Sequence, residues 1–129
     1  MELKITKKIL FEIIEHLKEA VYIVDAQGKV VYLNDAASEL EQMPKKDFLG
    51  KTIADVYFNT EFHSHKNSPC LDVLASGEVQ ENENLEWYTA DGTTINAITN
   101  TFPIMENGEI LGVFSMAENI ADLKKRLIE

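Results

Sequence analysis

Apolar residues recur at helical spacing from the start of the chain. Ile5, Ile9, Leu10, Ile13, Ile14 and Leu17 fall three and four apart with Lys and Glu between them, which predicts an amphipathic helix over 3–18. The period then shortens. Apolar runs at 20–25 and 29–34 predict two strands, joined by Asp25-Ala26-Gln27-Gly28, where glycine takes a positive φ without a Cβ clash. Asn34 or Asp35 can cap a helix over 36–42, and Pro44 ends it. Short helical pieces are expected at 44–48 and 52–57, a polar loop at 58–67, and a helix from Ser68-Pro69 to about Ala75 with Gly77 past its end. The last third alternates as strands do, at 79–89, 93–103 and 109–117. Thr89-Ala90-Asp91-Gly92 and Met105-Glu106-Asn107-Gly108 form the hairpin turns. A final helix is expected over 119–129. The order helix, β, β, short helices, β, β, β, helix predicts an α+β fold with helices gathered on one face of an antiparallel sheet.

The chain has 129 residues, enough for one core, and is 45% hydrophobic, too apolar for disorder. Its formal net charge of -10 repels phosphate backbones and anionic lipid, so neither nucleic acid nor membrane is an expected partner. The single cysteine, Cys70, forms no internal disulfide, which fits a reducing, cytoplasmic setting.

Several segments together resemble the PAS sensor family over about residues 8–121. They are Val24-Asp25-Ala26-Gln27-Gly28, Tyr32-Leu33-Asn34-Asp35-Ala36-Ala37, Phe48-Leu49-Gly50-Lys51-Thr52, Leu74-Ala75-Ser76-Gly77-Glu78, Asp91-Gly92, Pro103, and Gly108 with Gly112-Val113. The resemblance implies a five-stranded antiparallel sheet with short helices on one face. It also implies three parts: a dimerisation helix at 1–18, the PAS domain at 19–118, and the start of a signalling helix at 119–129. Leu74–Glu78, Tyr88–Gly92 and Thr101-Phe102-Pro103-Ile104 further resemble the sensor of sigma-54-dependent activators of the arginine-utilisation (RocR-like) type. That implies a domain which binds a small metabolite and regulates a downstream ATPase, without enzymatic activity of its own. A ligand-free dimerisation module and the sensor of a histidine kinase are the alternatives. At the closing Asn119-Ile120-Ala121 the family carries Thr third, so Asn119 is the candidate cap here.

PAS pockets lie between the sheet and the short helices. With Pro103 facing inward as in the family, alternation points Ile95, Ala97, Thr99 and Thr101 inward, and Asn96, Ile98 and Asn100 outward. The resemblance adds Trp87, Phe114 and Met116 inward, with Tyr22, Val24 and Tyr32 from the first hairpin, and Val113 and Ser115 outward. The candidate pocket is therefore Tyr22, Val24, Tyr32, Leu71, Leu74, Trp87, Ala97, Thr99, Thr101, Phe114 and Met116. The same residues fit a filled core as well as a site. The arginine-utilisation resemblance suggests an amino-acid metabolite. A basic one would need a buried carboxylate, and the inward strand positions carry none. Asp25 and Glu86 are the nearest candidates, while Glu39 and Glu41 read as a solvated face.

Other chemistries have little to stand on. His63, His65 and Cys70 are too few for a structural zinc site. Haem and flavin are not expected: the loop histidines are solvent-like, and Ser68-Pro69-Cys70-Leu71-Asp72 is not a flavin-adduct motif. No nucleophile–base triad and no phosphate-binding glycine loop is present. The expected output is a homodimer through Leu10, Ile13, Ile14 and Leu17, continued by Ile120, Leu123 and Leu127 on one seam.

Overall fold

The computed structural model describes residues 1–57, 68–89 and 92–128. Its elements are α1 (Lys7–Glu15), β1 (Ala20–Asp25), β2 (Val30–Leu33), α2 (Asp35–Glu41), a 3-10 turn (Lys45–Asp47), α3 (Ile53–Val56), α4 (Pro69–Ser76), β3 (Gln80–Tyr88), β4 (Thr94–Glu106), β5 (Glu109–Asn119) and α5 (Ile120–Ile128). The five strands form one antiparallel sheet in the order β2-β1-β5-β4-β3. β1 and β5, far apart in sequence, are therefore central neighbours.

Local chemistry sets most element ends. The Asp25 carboxylate accepts the backbone N–H groups of Gln27 and Lys29, and Gly28 closes that turn at φ +83°. Ser68 caps α4 by accepting from Leu71 N, Pro69 occupies its first turn, and Gly77 ends it at φ +73°. Asn119 caps α5 by accepting from Ala121 N at 2.8 Å, the role expected of it. The first helix is shorter than the apolar spacing suggests, 7–15 instead of 3–18. Thr6 accepts from Ile9 N to start it, and His16 ends it.

Asn34 ties the first hairpin to its surroundings. It is fully buried, and its Oδ1 accepts from Val21 N and Ala37 N, both at 2.9 Å. Its Nδ2 donates to the carbonyls of Ile14 and Glu19, also at 2.9 Å. All its polar capacity is used, as a buried amide requires. It caps α2 and anchors the end of α1 with one side chain.

The core lies between the sheet and helices α2, α3 and α4. Val24, Val30, Leu33, Phe48, Val73, Leu85, Ala97 and Val113 are almost wholly buried there, and each large aliphatic among them contributes roughly 1.5–3 kcal/mol by leaving water. At Gly112 a Cβ would stand 2.3 Å from the Val24 carbonyl oxygen, so the close β1–β5 approach requires glycine there. Pro103 lies beyond Thr101, the last residue of β4 paired with β3. On that free edge a missing N–H is tolerated.

The register fixes which residues share a face. Tyr22 pairs with both Leu33 and Ser115, Ser115 pairs with Thr101, and Ala117 with Thr99. These point toward α2–α4, as do Ile95, Ala97 and Trp87. Five side chains face the opposite way from the expectation here. Tyr32, Phe114 and Met116 lie on the opposite face: Ile23 pairs with Tyr32 and Phe114, and Val21 with Met116. Phe114 stacks on Phe102 at 5.1 Å there, and Tyr32 stacks on Phe11 of α1 at 4.7 Å. Val113 and Ser115, expected outward, are buried inward. The large residues of β5 face away from the helices and the small ones toward them, so bulk misleads about direction.

Asn96, Ile98 and Asn100 do face outward as alternation predicts, since Asn100 pairs with Met116. Asn100 has a local purpose. Its Oδ1 accepts from Asn82 N at 2.9 Å, where β3 bulges and Asn82 takes φ +55°.

Candidate functional site

The inner face of the sheet leaves a small cavity under the helices, of about 40 Å³, room for roughly two or three waters. Tyr22, Leu85, Trp87, Thr99, Ser115 and Ala117 line it from the sheet, and Glu41, Ile53, Tyr57, Ser68, Pro69 and Cys70 from the helices. Of the eleven candidate pocket residues, Tyr22, Trp87 and Thr99 reach it. Val24, Ala97 and Thr101 sit on the same face as core, Thr101 sharing a 2.9 Å hydrogen bond with Ser115. Leu71 and Leu74 pack against the core from α4 without lining the cavity.

The chemistry of the cavity is dominated by a residue that the sequence pattern assigns to solvent. Glu41, the last residue of α2, is 2% exposed. It follows Ala37 by four positions, and both face the core. Its Oε2 accepts from the hydroxyls of Tyr22 at 2.7 Å and Tyr57 at 2.8 Å, and its Oε1 from the Trp87 indole N–H at 3.2 Å. The three donors come from β1, the end of α3 and β3. Burial pushes the Glu41 carboxyl above its ordinary value, against the pull of Tyr22, Tyr57 and Trp87. Among the described residues, no lysine, arginine or histidine offsets its charge. Burial, and then the adjacent Glu41, push the Tyr22 and Tyr57 hydroxyls well up, so both remain donors.

The carboxylates expected nearest the pocket are elsewhere. Asp25 is spent on its turn, and Glu86 is exposed on β3. The only sequence signal for Glu41 is its i+4 spacing from Ala37, which an acidic neighbour at Glu39 masks. Cys70 is the second residue of α4, is buried, and has its thiol pushed up to about 12 by burial. A reactive thiolate is not favoured by that environment. His63 and His65 lie outside the described residues. Among the described residues, no group of three or more His, Cys, Asp and Glu is placed to hold a metal ion.

The apolar residues of α1 assigned to dimerisation divide by exposure. Leu10, Ile13 and Leu17 are about half exposed, whereas Ile14 is partly covered. On α5, Leu127 and Ile128 are exposed. No helix among the described residues is long and apolar enough to cross a membrane.

Comparison with known proteins agrees with this architecture. Over 117 residues the chain is 26% identical to the transcriptional activator RocR of Bacillus subtilis, covering 91% of this chain and 25% of RocR. It is 25% identical over 113 residues to the signal transduction histidine-protein kinase AtoS of Escherichia coli, covering 88% of this chain and 18% of AtoS. It thus spans a quarter or less of the length of these relatives. Among solved structures, a PAS domain from Colwellia psychrerythraea superposes with a TM-score of 0.70 at 16% identity, covering 89% of this chain and 97% of that one. The PAS domain of nitrogen regulation protein NR(II) from Vibrio parahaemolyticus gives 0.65 at 17%, covering 84% and 94%. The PAS fold family model matches residues 8–120. With its sheet order, its helical layer and that match, the chain belongs to the PAS family of sensory domains.

Proposed function

We propose that this domain is the sensor of a sigma-54-dependent transcriptional regulator, binding a small metabolite in the Glu41 cavity. Binding biases a homodimer whose end helices, α1 and α5, pass the change to a downstream ATPase. The observation that carries the reading is the polar cluster of Glu41, Tyr22, Tyr57 and Trp87 at a small cavity between the sheet and the helices. Apolar walls with a few aimed polar groups are the usual form of a small-ligand site. A volume of about 40 Å³ suits a few heavy atoms, so haem and flavin have no part in this reading. Likeness to RocR favours a transcriptional regulator, and likeness to AtoS makes a kinase sensor the second reading. A ligand can shift the dimer only by its differential affinity for the two states.

The test is native mass spectrometry beside the denatured mass. A dimer carrying extra mass that is lost on denaturation supports the reading. A chain that neither retains nor takes up any small molecule returns it to a ligand-free interaction module. The dimer is tested separately with Ile13→Asp, at a residue 52% exposed on α1. A dimeric wild type and a largely monomeric variant by light scattering at micromolar concentration are expected, and identical masses would refute the α1 interface.

A further inference from the structure

Glu41 is unusual because it is buried, acidic and, among the described residues, countered by neutral donors alone. An ionised carboxylate offers about four acceptor positions on its two oxygens. Tyr22 and Tyr57 occupy both on Oε2, and Trp87 takes one on Oε1. One acceptor position on Oε1 is left, and Glu41 lines the cavity. The side chains that orient the carboxylate are a tryptophan and two tyrosines, which donate hydrogen bonds and carry no charge. Thr99 and Ser115 add hydroxyl oxygens to the wall.

From this geometry we infer that the cavity recognises the cationic head of a small amine or guanidine, with Glu41 as its counter-ion. An N–H of the head group fills the vacant position on Oε1, and its positive charge offsets the one buried carboxylate that lacks a cation among the described residues. A neutral amide of the same shape could make the hydrogen bond and would leave the buried charge uncompensated. An anion would be repelled outright. The cavity admits the head group only, so the remainder of the molecule contributes little to this recognition. The inference rests on the sensor reading and narrows it to one class of ligand.

Binding a cation favours ionised Glu41, so affinity rises as pH rises through the folded carboxyl's titration. Among the described residues, the groups facing Glu41 are Tyr22 from β1, Tyr57 just past α3, Trp87 from β3 and, in the same cavity wall, Cys70 from α4. Burial holds Tyr22, Tyr57 and Cys70 protonated at neutral pH, so Glu41 is the group among them whose ionisation sets this dependence.

The chain has one tryptophan, whose indole N–H donates to Glu41. Its resonance therefore reports directly on the site. The 129-residue chain is titrated with methylammonium, methylguanidinium and neutral methylurea at constant ionic strength, up to about 50 mM to capture millimolar affinities. A saturable shift of the Trp87 indole signal with one or both cations, and none with methylurea, is expected. Which cation binds decides between amine and guanidine. Glu41→Gln should weaken binding about tenfold or more, equivalent to roughly 1.4 kcal/mol. Tyr57→Phe keeps the carboxylate, frees a second acceptor position and should bind the cation at least as tightly. That variant keeps the idea testable if Glu41→Gln fails to fold. Equal shifts with methylurea would overturn the cation assignment and leave a sensor of neutral molecules. No saturable shift in either wild type or Tyr57→Phe would overturn it too, and a co-purifying neutral or anionic ligand would then preserve the sensor reading alone.

Discussion

Two tyrosine–glutamate pairs sit on opposite faces of the same sheet and behave differently. On the helix-covered face, Tyr22 donates to Glu41 at 2.7 Å inside the core. On the other, Tyr32 donates to Glu15 at 2.5 Å beside α1, where Lys45 also reaches Glu15 at 2.9 Å and Asp35 at 2.7 Å. The hydrogen bond is the same. What differs is water and counter-charge. The outer carboxylates have a lysine and solvent; the inner one has neither among the described residues. A charge in the first setting is cheap to keep and weakly stabilising. In the second it is costly unless a ligand or a proton compensates it.

Removing the inner carboxylate should have the largest effect. Glu41→Ala removes the acceptor shared by Tyr22, Tyr57 and Trp87 and leaves a buried gap, and should cost about 3–5 kcal/mol in urea unfolding. A loss under about 1 kcal/mol would mean that water replaces the carboxylate freely.

Comparing the two tyrosines is the next sharpest test. Tyr22→Phe should cost about 1–2 kcal/mol, because a buried charged acceptor loses a donor. Tyr32→Phe keeps its stacking on Phe11 and should cost under about 1 kcal/mol. Equal losses would erase the distinction between the faces.

The faces should also respond to pH with opposite signs. Glu41 titrates above its ordinary value of 4.5 when folded. Its protonated form therefore stabilises the fold at acid pH, and that contribution is lost as pH rises through the folded value. Asp35 is held below its ordinary 3.8 by the hydrogen bond and charge of Lys45, so its contribution is present at neutral pH and lost as pH falls. Urea midpoints from acid to neutral pH should thus lose one trend in Glu41→Gln and the opposite trend in Lys45→Ala. The smallest effect is Lys45→Ala at neutral pH, about 0–1 kcal/mol and screened by salt.

Much of the architecture was legible because its signals are local. The Asp25–Gly28 turn, the Ser68 and Asn119 caps, Gly77 past α4 and the outward Asn96–Ile98–Asn100 row each follow from side chains acting within a few residues of themselves. The inner positions of β4 were likewise recoverable once Pro103 set the phase. β5 was not, because alternation supplies a period without an origin. Its phase comes from pairing with β1 and β4, which places Ser115 and Ala117 inward and Phe114 and Met116 outward. Phe114 is accommodated on that outer side by stacking on Phe102 of β4.

The order of elements, most of their ends, the family and the amphipathic character of α1 can all be read from the residues in order. These depend on periodicity, turn chemistry and capping, all short-range. Tertiary structure decided the site. Glu41 looks like a surface acid between Leu40 and Gln42, and it becomes a cavity carboxylate only because Tyr22 lies 19 residues before it and Trp87 46 residues after it. Burial and hydrogen-bond satisfaction are properties of what surrounds a side chain, and in this sheet those surroundings come from distant parts of the chain.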